Sequence, residues 1–88
     1  MSNNSLTTGQ NALSVTAEVV LAALPGRNFA EVKNADAVIS VYLGKDSSVS
    51  SSTGHLLKAG EAFGFEAYSG AIWAIAASGT PTVTFVEW

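Results

Sequence analysis

The sequence predicts an all-β domain: a small antiparallel β-sandwich or jelly-roll-like barrel of about seven short strands. Three observations predict it. Apolar and polar residues alternate with period two in several stretches, Ile72 to Ala77 and Thr82 to Trp88 among them. Gly, Pro, Asn and Ser punctuate these stretches at near-regular intervals. No segment carries a sustained helical stripe. With 88 residues and 9.0 kDa there is room for one domain. Residues 14–88 are assigned to it, behind a flexible N-terminal arm of residues 1–13.

The elements follow in order. The arm is polar, rich in Ser, Asn and Thr, and has no periodicity; such an arm can gain order on a neighbouring subunit. From Ser14 to Leu24, Val15, Ala17 and Val19 alternate with Ser14, Thr16 and Glu18, which reads as a strand closed by the turn at Pro25-Gly26. In Arg27 to Asn34, Phe29 and Val32 differ in parity, so a bulge is expected there. Asn34-Ala35-Asp36 supplies turn chemistry. Ala37 to Leu43 is the clearest strand: Ile39, Val41 and Leu43 share one face, and Val38, Ser40 and Tyr42 the other. Gly44 to Gly54 is a polar surface loop, and His55 to Ala59 a short strand. Ala62 to Tyr68 sets Phe63, Phe65 and Ala67 against Gly64, Glu66 and Tyr68. Ala71 to Ala77 sets Ile72, Ala74 and Ala76 against Trp73, Ile75 and Ala77. Thr82 to Trp88 sets Val83 and Phe85 against Thr84, Val86 and Trp88.

Composition excludes several functions. Hydrophobic residues make up 48% of the chain, too many for a disordered one. Four Lys and Arg against seven Asp and Glu leave a net charge of −3, so no nucleic-acid partner is expected. There is no Cys and one His, which removes thiolate sites and His-rich metal sites; no metal and no cofactor is expected. The first residues lack the positive charge and apolar run of a signal peptide. The longest apolar run, Val19 to Leu24, falls far short of the roughly 20 residues of a membrane span, so no membrane partner and a cytoplasmic start are expected.

No catalytic constellation emerges. His55 has Ser neighbours in sequence, but no nucleophile-elbow spacing accompanies it. Glu61 and Glu66, five apart in an extended chain, point to opposite faces and cannot act as paired carboxylates. Asp36 and Asp46 lack the oxygen-rich spacing of a calcium loop. The glycines punctuate strands and do not open a phosphate-binding helix. The expectation is a protein that is not an enzyme.

The informative feature is an apolar excess. Tyr42, Tyr68, Trp73, Ile75, Val86 and Trp88 fall opposite the best core positions. A domain this small buries only about 60–65% of its extended-chain surface and cannot hide both faces of several strands. These six residues are therefore the expected protein–protein interface. A sugar-stacking platform on Trp73 or Trp88 is the competing reading.

The stretch from Arg27 to Trp88 carries a pattern: Val32-Lys33-Asn34, then Ile39-Ser40-Val41-Tyr42-Leu43-Gly44, then Leu57-Lys58-Ala59-Gly60-Glu61. Gly70-Ala71-Ile72-Trp73-Ala74-Ile75-Ala76 and Val83-Thr84-Phe85-Val86-Glu87-Trp88 complete it. With it the chain resembles the small all-β virion structural proteins of tailed bacteriophages. The resemblance implies a β-sandwich that assembles with copies of itself, as a trimer, and with a major capsid or other virion protein. It implies no catalysis. A capsid decoration (cement) or head-fibre protein that stabilises the outer shell is the first expectation. A tail or head-to-tail accessory protein is the second, and a carbohydrate-binding module for host-surface recognition is the alternative from another class. The virion, assembled in the host cytoplasm, is the expected location.

Overall fold

The computed structural model describes residues 6–88, and these form two four-stranded antiparallel sheets packed face to face. The strands are β1 (Thr7–Ala12), β2 (Glu18–Leu21), β3 (Phe29–Asn34), β4 (Val41–Gly44), β5 (His55–Leu57), β6 (Ala62–Glu66), β7 (Ile72–Ala76) and β8 (Thr82–Glu87). One sheet runs β1-β8-β3-β6 and the other β2-β7-β4-β5, the arrangement of an eight-stranded jelly roll. The all-β sandwich is as the sequence predicts, with eight strands in place of seven.

Period two decides which side chains meet between the sheets. Val83 of β8, Ala30 and Val32 of β3, Ile72, Ala74 and Ala76 of β7, and Val41 and Leu43 of β4 form the core, joined by Leu13, Val20, Leu21 and Leu57. The turn after β2 shows the local logic. Arg27 N–H donates to the Leu24 carbonyl at 3.1 Å across Pro25-Gly26, and Gly26 has φ of 83°. That is the type II turn, with Pro at its second position and Gly where φ must be positive.

The extra strand lies in the predicted arm. Residues 1–5 of that arm lie outside the described residues, but Thr7–Ala12 pair with β8 in unbroken register, Thr7 opposite Glu87 through Ala12 opposite Thr82. Its side chains carry no apolar stripe, because β8 holds it through the backbone ladder. At Gly9 a Cβ would stand 2.5 Å from the tip of the Phe85 ring, so glycine leaves the room in which that ring sits.

Three other boundaries differ from the pattern. Val15 is 62% exposed, and Ser14 Oγ accepts from Thr16 N–H at 3.2 Å, so Ser14–Ala17 form a turn and β2 begins at Glu18. Val38 is 83% exposed; the Asp36 carboxylate accepts from the Val38 and Ile39 amides at 2.9 and 2.7 Å, and β4 begins only at Val41. β3 carries no bulge: Phe29 faces outward and Val32 inward in continuous register, and the irregularity falls in β2 between Val19 and Leu21.

The two amide bonds hold the Asp36 carboxyl below its ordinary value of 3.8, Ile39 contributing most. Asp46 is lowered likewise, chiefly by the Ser48 hydroxyl. A carboxyl depressed in the folded state stabilises the fold above its unfolded pKa, and that contribution is lost as pH falls through the folded value. Melting temperature is expected to decline on acidification below 3.8, the window these groups titrate in. The double variant Asp36→Asn/Asp46→Asn is expected to show a flatter decline in the same scan; an unchanged profile refutes the assignment.

Candidate functional site: an apolar sheet face and an aromatic seam

The six predicted interface residues separate into three places. Tyr42, Trp73 and Ile75 converge on the outer face of the β2-β7-β4-β5 sheet. Cross-strand pairing sets Val19 beside Trp73, Trp73 beside Gly44, Ile75 beside Tyr42, and Tyr42 beside Leu56. Directly opposed residues share a face, so the rungs Val19–Trp73–Gly44 and Ile75–Tyr42–Leu56, adjacent on β7, make one staggered apolar row across the four strands, with buried Val49 packed over Gly44. Val19 and Leu56, at its ends, are exposed, and the three residues between are half-buried. Val19 and Leu56 complete the row but escaped the sequence reading. Val19 lay in a strand misplaced by its N-terminal half, and Leu56 in one too short to show parity.

Val86 and Trp88 lie on the outer face of the other sheet. Trp88 packs on Phe29, ring centroids 4.9 Å apart, and Asn28 and Phe29 N–H both donate to the Trp88 carbonyl. Most of the rest of that face is polar, with Thr8 and Gln10 on β1, Thr82 and Thr84 on β8, and Glu31 and Lys33 on β3, beside the small residues Ala12, Ala62 and Gly64. The sandwich thus has one apolar and one mainly polar outer face.

Tyr68 is not on an outer face. Ala67 takes φ of 55°, which breaks the alternation and turns Tyr68 inward. It packs against the core beside Phe65, and its hydroxyl donates to the Ala71 carbonyl at 2.9 Å.

Two buried polar residues hold this geometry. The Arg27 guanidinium donates to Glu87 Oε1 at 2.8 Å, to the Tyr68 and Gly70 carbonyls at 3.0 and 2.9 Å, and to the Ala22 carbonyl at 2.6 Å. Asn34 Nδ2 donates to the Ile39 and Leu57 carbonyls, and its Oδ1 accepts from Asp36 N–H.

The edges of the two sheets differ. β2 and β5, the edges of one sheet, have four and three residues, and β2 is irregular. β1 and β6, the edges of the other, have six and five residues in unbroken register, and Glu66 is their only charged residue. Charges, bulges and short lengths are what normally protect an edge from pairing with another chain.

Beside β6 the seam between the sheets opens into a cavity of about 540 Å³. Phe63, Phe65 and Tyr68 form one wall, and His55 tilts over Phe63 with centroids 4.7 Å apart. No Ser hydroxyl or carboxylate among the described residues hydrogen-bonds the His55 imidazole. Among the described residues, no three His, Asp or Glu side chains converge as metal ligands would.

Comparison of the sequence with protein-family models and with curated proteins finds no match. Among solved structures, the chain is similar to a subunit of Bacillus endospore appendages, described as a novel family of disulfide-linked pili. The TM-score is 0.57 at 7% identity, over 96% of this chain and 84% of that one. The likeness lies in the fold. These 88 residues contain no Cys, so the disulfide linkage of those pili has no counterpart within them.

Proposed function

We propose that this chain is a non-enzymatic structural subunit of a tailed-phage virion, a decoration protein that docks on the capsid shell. The observation that carries the proposal is the row Val19, Trp73, Ile75, Tyr42 and Leu56 across one outer face, set against a Thr-rich opposite face. Such a sandwich can bury one side on a protein lattice and leave the other in water. The phage setting is taken from the sequence's resemblance to small virion proteins. On a lattice, modest affinity per site is multiplied by simultaneous engagement of neighbours. Closed threefold association of copies would cover the same face.

A second reading, a self-assembling fibre subunit, is favoured by the two unprotected edges β1 and β6 and by the likeness to a pilus subunit. Pairing β1 of one copy with β6 of the next is heterologous and runs on into a filament unless the rotation closes.

Light scattering at two concentrations, with negative-stain microscopy, separates the two. A closed oligomer, or a monomer that co-sediments with tailed-phage particles from a lysate producing the chain, supports the decoration reading. Filaments of the purified chain support the second. Trp73→Ala is expected to weaken association at least about tenfold, ~1.4 kcal/mol, while the melting temperature stays near that of the parent chain. Parallel loss of fold and association would place Trp73 in the core and overturn the docking face.

A further inference from the structure

We infer that the seam between β6 and the β4–β5 hairpin is a saccharide-binding cleft. This does not rest on the docking reading, which uses the outer face of a sheet and none of these side chains.

The cleft follows from the topology. β6 pairs only with β3, and β5 only with β4, so each is a sheet edge. At this side the sheets part, and no described segment roofs the gap. The resulting volume, about 540 Å³, lies within the range of about 300–1,000 Å³ typical of small-molecule sites. Its wall is aromatic and continuous. Phe63 meets Phe65 edge-on at 4.9 Å, and Phe65 lies 5.8 Å from Tyr68. Phe63 remains 39% exposed despite these neighbours. With Phe65 and Tyr68 it leaves a contiguous aromatic surface open beside the seam.

Lys45, just after β4, and His55 on β5 stand at the rim on one side, and Glu66, which the register sets opposite Phe29 at the outer edge of β6, borders it on the other. Lys45 and Glu66 do not pair with each other; the salt bridge among the described residues is Arg27–Glu87. The His55 imidazole tilts over Phe63. The rim therefore offers a cationic donor, an anionic acceptor and an imidazole that can do either, above an aromatic wall.

That combination selects among ligand chemistries. A pyranose has a face of axial C–H groups, partly positive, which packs on the negative face of an aromatic ring. Its edge carries hydroxyls that both donate and accept. An acyl chain would use the wall and leave Lys45, His55 and Glu66 unused. A phosphate-bearing ligand would gain from Lys45 and be repelled by Glu66. The sugar uses both.

The test is a titration of the isotope-labelled full chain, followed by amide NMR shifts, with methyl glycosides of glucose, galactose, mannose and N-acetylglucosamine. Hexanoate serves as the apolar control. Saturable shifts at residues 43–45, 55 and 63–68 with at least one glycoside are expected. Phe63→Ala is expected to weaken that binding about tenfold and to leave co-sedimentation with phage particles, which uses the outer face of the other sheet, unchanged. Glu66→Gln, at an exposed position, provides a variant that keeps the fold. The inference is overturned if no glycoside gives a saturable shift. It is equally overturned if shifts map to Trp73 or Trp88, if hexanoate alone binds, or if both variants bind like the parent.

Discussion

Replacing Arg27 with Met is expected to remove most of the stability of the domain. The Arg27 side chain is fully buried, and its four hydrogen bonds reach three separate parts of the chain. They join the end of β2 through Ala22, the β6–β7 turn through Tyr68 and Gly70, and the last strand through Glu87. Breaking a buried pair by removing one partner costs about 3–5 kcal/mol, because the remaining charge stays uncompensated. Here three carbonyls lose their donors as well. A domain of this size has roughly 4–13 kcal/mol in total. Urea unfolding is expected to show a midpoint shifted to low denaturant or a chain unfolded without it. Arg27→Lys is expected to recover little, since an ammonium cannot span four acceptors held by a planar fork. Arg27→Met/Glu87→Leu is expected to regain part of the loss by removing the stranded carboxylate. A midpoint for Arg27→Met equal to that of the parent would refute this role.

Asn34→Leu is expected to cost about 3 kcal/mol, the sum of several buried groups left unpaired at about 1–3 kcal/mol each. Asn34 is fully buried at the end of β3, in one sheet, and its amide donates to the carbonyls of Ile39, just before β4, and Leu57, the last residue of β5, in the other. Its Oδ1 at the same time accepts from Asp36 N–H at 3.0 Å, shaping the turn that leads to β4. The side chain is thus a polar tie between the sheets, and Leu matches its bulk but none of its bonds. Asn34→Asp is expected to be worse, because a carboxylate would face the two carbonyls that now receive a donor. Urea unfolding measures the loss, and amide exchange should show β5 opening first. Protection of β5 unchanged in Asn34→Leu would exclude the tie.

Sequence alone determined the fold class and the inward faces of the later strands. The alternation in Ile72–Ala76 and Thr82–Glu87 is intact, and Ile72, Ala74, Ala76 and Val83 are buried as it requires. It also set Tyr42, Trp73 and Ile75 opposite the core positions, because period two is a local property of an extended chain; that they share one outer face follows from the pairing of β4 with β7. Tertiary structure decided what depends on partners distant in sequence. β1 has no apolar stripe, so only the free edge of β8 makes it a strand. Val15 and Val38 continue an alternation that turns cut short, and a turn is fixed by hydrogen bonds that hydropathy does not record. Tyr68 changes face on one positive φ at Ala67. Arg27 finds Glu87 sixty residues away, and His55 meets Phe63 only when β5 and β6 flank the same seam. Residues that pack by periodicity are visible in a sequence; residues that act by bridging distant segments become visible only when the chain closes on itself.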